Sequence, residues 1–158
     1  MNPYDIAAFL SDVELPYVKE RHLIKQIHHD LAVKTSLATF EIAIDHCLIR
    51  LDSQLERELQ QLRSHGECLM GGVNPIQDMA HYLKVIKLKL LYTEAEYVKL
   101  KLRTLLKLVG YKRRGEKVMS EFDELLDELN LLVFVKGELV IKRVEIGLDD
   151  FMTIRLRS

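Results

Sequence analysis

The chain has 158 residues, of which 48% are apolar and 30% charged, and its formal net charge is −1. This composition excludes a disordered or fibrous chain and predicts a globular protein with a hydrophobic core. No wholly apolar run is longer than the one at 131–135, which is far too short for a membrane-spanning helix. No basic stretch precedes an apolar run at the start, so we expect no secretory signal. Because Cys47 and Cys68 match neither a disulfide framework nor a zinc-ligand spacing, we predict a cytoplasmic protein with reduced thiols.

The charges are unevenly distributed along the chain. Residues 1–75 hold 7 basic and 11 acidic side chains, residues 76–117 hold 11 basic and 4 acidic, and residues 118–158 hold 5 basic and 9 acidic. The resulting balances of −4, +7 and −4 place a strongly basic middle between two acidic flanks. Such asymmetry indicates an anionic partner, unless the middle segment pairs with its flanks inside the fold.

The first half of the chain has the patterns of helices. Asn2-Pro3 is typical of a helix start, and further helices are predicted over 17–33 and from the cap signal at 34–36 to His65. Apolar residues at three- and four-residue steps form an a/d seam along this last helix: Ile44, Leu48, Leu51, Leu55 and Leu62. The seam is the pattern of a helical hairpin or of a coiled coil, and we interpret it as a homo-oligomer interface.

Three glycines and a proline between 65 and 75 interrupt the helical pattern. A new helix is predicted from there to Tyr92, although its sequence also alternates in places and a strand is the alternative. The apolar stripe changes face near Thr93, where a capping signal is present. We therefore predict a break at Thr93 and a second helix that ends at Gly110.

The C-terminal third changes from helical to strand patterns. A helix with an apolar inner stripe and an acidic outer face is predicted over 116–129. Two β-rich runs within 131–146 are joined by Lys136-Gly137, which is typical of a hairpin. Alternation of apolar and polar residues over 152–156 predicts a third strand.

These elements predict an α+β fold that is mainly α-helical. A helical bundle or long helical hairpin is followed by a C-terminal helix and a small antiparallel sheet made of a hairpin or three strands. The glycine-rich break separates an N-terminal helical segment, 1–73, from a basic C-terminal segment, 74–158, within one compact domain. Residues 97–146 resemble a winged helix in which one of the usual three helices is missing or reduced to a loop.

A basic loop lies between Gly110 and Gly115. Arginine forks fit phosphate oxygens, and the loop leads into the N-terminus of helix 116–129, where the helix dipole favours an anion. Lysines on the preceding helical faces lead into the same loop, which predicts a positive track for a nucleic-acid backbone. The predicted nucleic-acid-binding residues are Lys84, Lys89, Lys99, Arg103, Lys107, Tyr111, Lys112, Arg113, Arg114 and Lys117.

The leading hypothesis is a non-catalytic accessory protein that binds the backbone of DNA or RNA. The acidic outer face of helix 116–129 would repel phosphates, so we expect little sequence reading by that helix. Alternatively, the loop is a solvated turn. A separate alternative, suggested by the a/d seam and the neutral overall charge, is a helical protein–protein adaptor or homo-oligomeric scaffold whose basic segment meets an acidic partner.

Arg21 and His28, in RHLIKQIH, have a spacing that resembles that of the HEPN ribonucleases. These are helical enzymes in which a paired arginine and histidine act on RNA across a dimer. The resemblance implies a ribonuclease as the enzyme alternative. No HExxH, Walker or GxSxG motif is present. We otherwise expect no catalytic residue, metal or cofactor, and no membrane partner.

Overall fold

The computed structural model describes residues 1–65, 79–111 and 113–157, and over 52–65 it describes the backbone. The chain divides into two compact units, Met1–Gly72 and Val73–Ser158, which we call unit 1 and unit 2. In the described ranges no helix is long and apolar enough to cross a bilayer. The predicted glycine-rich break at 66–75 lies outside the described residues.

Unit 1 is built from the helices α1 (Pro3–Val13), α2 (Tyr17–Asp30) and α3 (Leu37–His65). The helix α1 begins as predicted. Its cap is reciprocal: Oδ1 of Asn2 accepts a hydrogen bond from the backbone N–H of Asp5 at 2.9 Å, and the carboxylate of Asp5 accepts one from the backbone N–H of Asn2 at 3.0 Å. This satisfies two amides that have no partner inside the helix.

The long helix α3 has 29 residues and is therefore about 43 Å long. Its predicted cap is confirmed, because the hydroxyl of Ser36 accepts a hydrogen bond from the backbone N–H of Thr39 at 3.2 Å. Arg21 on α2 and Asp45 on α3 form an ion pair of 2.5 Å that ties these two helices together. Among the described side chains of unit 1, the buried apolar residues are Ile6, Ala7, Phe9, Leu10, Leu23, Ile24, Ile27, Phe40 and Ile44.

Unit 2 contains the helices α4 (Met79–Tyr92), α5 (Leu102–Leu108) and α6 (Glu116–Glu128). Two of them, α5 and α6, lie within the range 97–146 for which a winged helix with one helix missing or reduced was expected. The predicted apolar stripe of α4 is buried, which confirms the predicted helix for that segment over the alternative of a strand. The core of unit 2 consists of Met79, Leu83, Ile86, Leu90, Leu102, Leu105, Leu106, Val109, Met119, Phe122, Leu126, Leu131, Val133, Ile146, Met152 and Ile154.

A four-stranded antiparallel sheet packs against these helices. Its strands are β1 (Val98–Lys101), β2 (Leu131–Val135), β3 (Glu138–Leu139) and β4 (Phe151–Leu156). Their order across the sheet is β1-β4-β2-β3. The last strand of the chain therefore lies in the middle, where Ile154 pairs with Val98 on one side and with Val133 on the other.

The prediction of a helix that starts at Thr93 was wrong. The hydroxyl of Thr93 donates a hydrogen bond to the carbonyl oxygen of Lys89 at the end of α4, and the chain then becomes the strand β1. Apolar residues at 98, 100 and 102 fit a strand as well as a helix. Pairing with β4, which comes from the end of the chain, stabilises the strand, and only α5 keeps the predicted helical form.

The predicted hairpin turn at Lys136-Gly137 is confirmed. These residues have φ angles of 53° and 80°, which is the left-handed geometry that a two-residue turn of type I′ requires. The second strand of the hairpin is shorter than predicted, because β3 ends at Leu139. The chain then forms a 3-10 turn, Arg143–Glu145, in which Arg143 turns inward to pair with α6.

Candidate nucleic-acid interface

The predicted basic loop lies between α5 and α6. Gly110, with a φ of 87°, reverses the chain at the end of α5. Arg113 in the loop and Lys117 in the first turn of α6 are exposed. Arg114 is exposed as well, but its guanidinium donates a hydrogen bond to the carbonyl oxygen of Val144. Arg114 therefore also holds the 3-10 turn against the loop.

Two further residues of this loop were predicted to bind nucleic acid. Tyr111 is 36% exposed, and its hydroxyl donates a long hydrogen bond of 3.4 Å to Oε2 of Glu121 on α6. This contact holds the tyrosine beside an acid, which is an unfavourable neighbour for a phosphate. Lys112 lies outside the described residues.

The predicted lysine stripe is divided among three elements. Lys84 and Lys89 lie on α4, where both are half-buried and in contact with other groups. Lys99 lies on β1, whereas Arg103 and Lys107 lie on α5. Because the strand β1 separates α4 from α5, these residues do not lie on one continuous helix, and the single stripe that was inferred from helical geometry does not form.

Arg103 is paired with an acid of the loop before β4. Its Nε lies 3.0 Å from Oδ1 of Asp149, and its Nη2 lies 3.3 Å from Oδ2, so the pair is bidentate. These hydrogen bonds raise the pKa of Arg103 and lower the pKa of Asp149. The pair is solvent-exposed and contributes little to stability. It does, however, withdraw one cation from contact with a phosphate.

The outer face of α6 is acidic, as predicted, and the 3-10 turn packs onto it. Arg143 is only 9% exposed. Its Nε lies 2.6 Å from Oδ1 of Asp123, and its Nη2 lies 2.6 Å from Oδ1 of Asp127. The two aspartates are one helical turn apart, so that one guanidinium spans both. This face is negative and partly covered, and it is therefore unsuited to a DNA major groove.

Replacing Arg143 with methionine is expected to destabilise unit 2 by about 1–2 kcal/mol near pH 7, because two carboxylates lose their partner. The hydrogen bond from Arg143 lowers the pKa of Asp127. The stabilisation is therefore fully present above the ordinary aspartate pKa of about 3.9, and it is lost as the pH falls through the lower pKa of the folded state. Urea denaturation of both proteins from about pH 7 down to about pH 2 measures this difference.

The matched control for this experiment is Lys142→Met, which removes the same charge from the exposed neighbouring residue. We expect a change of no more than about 0.5 kcal/mol. A difference between Arg143→Met and the wild type that stays constant across the pH range contradicts the assigned pairing with Asp127. An equally large effect of Lys142→Met contradicts it as well.

A second basic surface lies on the sheet, and sequence reasoning missed most of it. Successive residues of a strand face opposite sides, so one side of the sheet faces the core and the other faces away from it. The outward positions are Lys99 and Lys101 on β1, Leu132 and Phe134 on β2, Leu139 on β3, and Phe151, Thr153 and Arg155 on β4. We call these residues, together with Tyr97 just before β1, the open sheet face.

The cations of the open sheet face lie over its aromatic rings. Nζ of Lys99 and Nζ of Lys101 lie 5.3 and 5.0 Å from the centre of the Phe151 ring. These distances are typical of cation–π contacts. The signal in the sequence was the alternation in YVKLK and FMTIRL, which has to be read with a period of two residues to place these side chains together.

Part of the predicted oligomer seam on α3 is buried in the core of unit 1. Ile44 is fully buried in the core of unit 1. Leu48 and Leu51 are half-buried. Leu55 and Leu62 lie in the part of α3 whose side chains are outside the described set. Of the described seam residues, Ile44 therefore contributes to folding, and Leu48 and Leu51 keep some surface for a partner.

Another pair of apolar residues on α3 faces water. Ile42 is 58% exposed and Ile49 is 63% exposed. Their spacing of seven residues places both side chains on the same face of the helix. This pair is a better candidate for contact with a second helix than the buried Ile44.

Arg21 and His28 each have a structural partner within unit 1. Besides its ion pair with Asp45, Arg21 lies 3.9 Å from Glu41, and the hydrogen bond to Asp45 raises the pKa of Arg21. Nε2 of His28 lies 2.7 Å from the carbonyl oxygen of Thr35. The carboxylates around Arg21 would repel an RNA phosphate, so this geometry does not favour a ribonuclease site.

Among the described residues, no three His, Cys, Asp or Glu side chains converge where a metal ion could bind. Burial raises the pKa of the Cys47 thiol, which makes it a weak nucleophile. Comparisons of the chain with protein-family models, with curated proteins and with solved structures find no match. A functional conclusion therefore depends on the surfaces described above.

Proposed function

We propose that the protein is a non-catalytic, nucleic-acid-binding accessory protein of the cytoplasm that contacts the phosphate backbone of DNA or RNA. One observation carries this proposal: besides Arg103 and Arg114, which are engaged by Asp149 and by the Val144 carbonyl, four further cations of the segment with a balance of +7 are exposed on unit 2. They are Lys99, Lys107, Arg113 and Lys117. Exposed positive charge attracts a polyanion through the release of counterions, and this attraction does not depend on base sequence.

We also propose that unit 2 is a winged-helix-like module. The order of its elements supports this, because a helix, a strand and two helices are followed by a hairpin and a final strand that lies between β1 and β2. In this comparison α6 takes the position of the recognition helix. Since α6 is acidic beyond its first turn, we place the nucleic-acid contacts at that first turn and elsewhere on unit 2, and we expect little sequence preference.

A helical adaptor or homo-oligomeric scaffold is the second candidate function. The exposed pair Ile42 and Ile49 favours it, because two large apolar side chains on one helix face form a contact surface for a partner helix. In this alternative the basic segment of unit 2 meets an acidic protein.

A binding assay with labelled random DNA and RNA oligonucleotides tests the proposed function. Oligonucleotides of roughly 20 nucleotides exceed the site of a single small module. We expect binding at low salt and a loss of about tenfold in affinity in the double variant Arg113→Ala/Lys117→Ala, because two phosphate contacts disappear. Both side chains are exposed, so the fold should be retained, which circular dichroism checks.

The matched control is the double variant Lys19→Ala/Lys25→Ala, which removes the same charge from exposed positions on α2. We expect its affinity to change by less than about twofold, since these lysines lie outside the basic segment. Equal losses in the two variants would contradict the proposed site. If none of the oligonucleotides binds at low salt, the adaptor or scaffold becomes the favoured function. Light scattering would then measure the oligomeric state of the protein.

A further inference from the structure

We infer that the open sheet face of unit 2 binds single-stranded nucleic acid. Bases stack on its exposed aromatic rings, and phosphates contact the cations between those rings. This inference rests on the proposed function and deepens it, because it names the form of nucleic acid that is bound and the surface that binds it.

The strand register brings cations and rings together in rows. Lys101 stands opposite Phe151, and Lys99 stands opposite Thr153, which in turn stands opposite Phe134. Neighbouring strands are about 4.8 Å apart, and outward residues recur roughly every 6.8 Å along a strand. The face is therefore a broad surface on which positive charges and aromatic rings are neighbours.

Phe151 lies at the centre of one of these groups. Its ring is 51% exposed, and the ammonium groups of Lys99 and Lys101 are its cationic neighbours. An exposed cation–π contact is weaker than the stacking of a base on an aromatic ring. A base therefore displaces the two ammonium groups from the ring, and they become available to the phosphates on either side of that base.

Arg155 extends the same arrangement to the other end of β4. Its guanidinium carbon lies 5.5 Å from the centre of the Tyr97 ring and 5.7 Å from that of Phe134. Tyr97 is 50% exposed. When the guanidinium fork binds a phosphate, the two rings are released for stacking.

Charge and shape together favour a single strand over other occupants. None of the outward positions of this face is acidic, which is complementary to a polyanion. In a duplex the base faces are stacked on one another, whereas a single strand presents them to aromatic side chains. An acidic peptide would pair with the cations but would leave the rings uncovered.

The first experiment compares the affinity of the protein for one sequence as a single strand and as a duplex. We expect tighter binding of the single strand. The substitution Phe151→Leu keeps an apolar side chain but removes the stacking surface, so it should weaken single-strand binding about tenfold and change duplex binding less than about twofold. Tyr17→Leu on α2 removes an aromatic ring that is 70% exposed, and it should change neither affinity.

The second experiment measures stacking directly. The chain contains no tryptophan, so Phe151→Trp places a single indole on the open sheet face. Stacking of a base should quench its fluorescence on addition of a single strand, and a duplex or poly-glutamate should leave it unchanged. Tyr17→Trp is the matched control, and its fluorescence should stay unchanged with all three.

The outcomes separate this inference from the proposed function. The inference is overturned if duplex and single strand bind equally, if Phe151→Leu binds the single strand like the wild type, or if a bound single strand fails to quench Phe151→Trp. In each case the proposed function stands, because the Arg113→Ala/Lys117→Ala test does not involve the sheet. Failure of both forms of nucleic acid to bind at low salt overturns the two together.

Discussion

Replacing Phe122 with alanine is expected to lower the free energy of unfolding of unit 2 by about 3–5 kcal/mol. Phe122 on α6 is fully buried in the core that α4, α5 and the sheet share. Removal of its ring leaves a cavity that closely packed elements close only in part. Since domains are stable by only about 5–15 kcal/mol, the variant should retain a small margin. Urea denaturation measures the loss, and hydrogen exchange of the β4 amides assigns it to unit 2.

Phe151→Ala is the matched control for this prediction. It makes the same chemical change at a ring that is 51% exposed, so we expect a loss below about 1 kcal/mol. Similar losses at the two positions would contradict the packing of the apolar face of α6 against the sheet.

Raising the salt concentration from about 50 to about 200 mM is expected to weaken single-strand binding by about 100-fold. Each phosphate neutralised on a single strand contributes about −0.7 to the slope of log affinity against log salt. Contacts from Lys99, Lys101, Arg113, Lys117 and Arg155 would give a slope of about −3.5. Fluorescence anisotropy over a series of salt concentrations measures this slope.

The variants of the binding assay make the salt experiment specific. The slope for Arg113→Ala/Lys117→Ala should be shallower by roughly 1.4, because two of the contacts are gone. The slope for Lys19→Ala/Lys25→Ala should equal that of the wild type. An affinity that hardly changes with salt would show that apolar contact dominates, which contradicts the proposed function.

Elements that depend on local interactions were predictable from the sequence. The cap at Asn2 and the cap at Ser36 use hydrogen bonds to residues three positions away. The turn at Lys136-Gly137 depends on the conformational freedom of its own glycine, Gly137. The helix over 116–129 follows from a regular apolar stripe. In each case the deciding interactions lie within one or two turns of the chain.

The strand β1 shows where local information was insufficient. Its sequence, VKLK, continues into LRTLLKL, and one apolar pattern fits a helix through the whole stretch. Hydrogen bonds to β4 at the end of the chain stabilise a strand instead. The choice changes the candidate site, because Lys99 and Lys101 point about 200° apart on a helix but to the same side on a strand.

The pairing of charges was equally beyond local prediction. The sequence shows Arg103 and Arg143 as two further cations. The fold brings Asp149 to Arg103, and it brings Asp123 and Asp127 to Arg143. Both arginines therefore form ion pairs inside unit 2 instead of presenting a free charge to a partner.

The sequence by itself determined most of the helical segments, the hairpin turn, the acidic face of α6 and the excess of positive charge in the middle of the chain. These features depend on composition and on contacts between residues that are close along the chain. Only the tertiary structure decided three features. They are the strand at 98–101, which cations pair with a carboxylate and which face solvent, and the grouping of aromatic rings with lysines on one sheet face. The physical reason is that strand pairing and ion pairing join residues that are distant along the chain. Which residues pair therefore depends on how the whole chain packs.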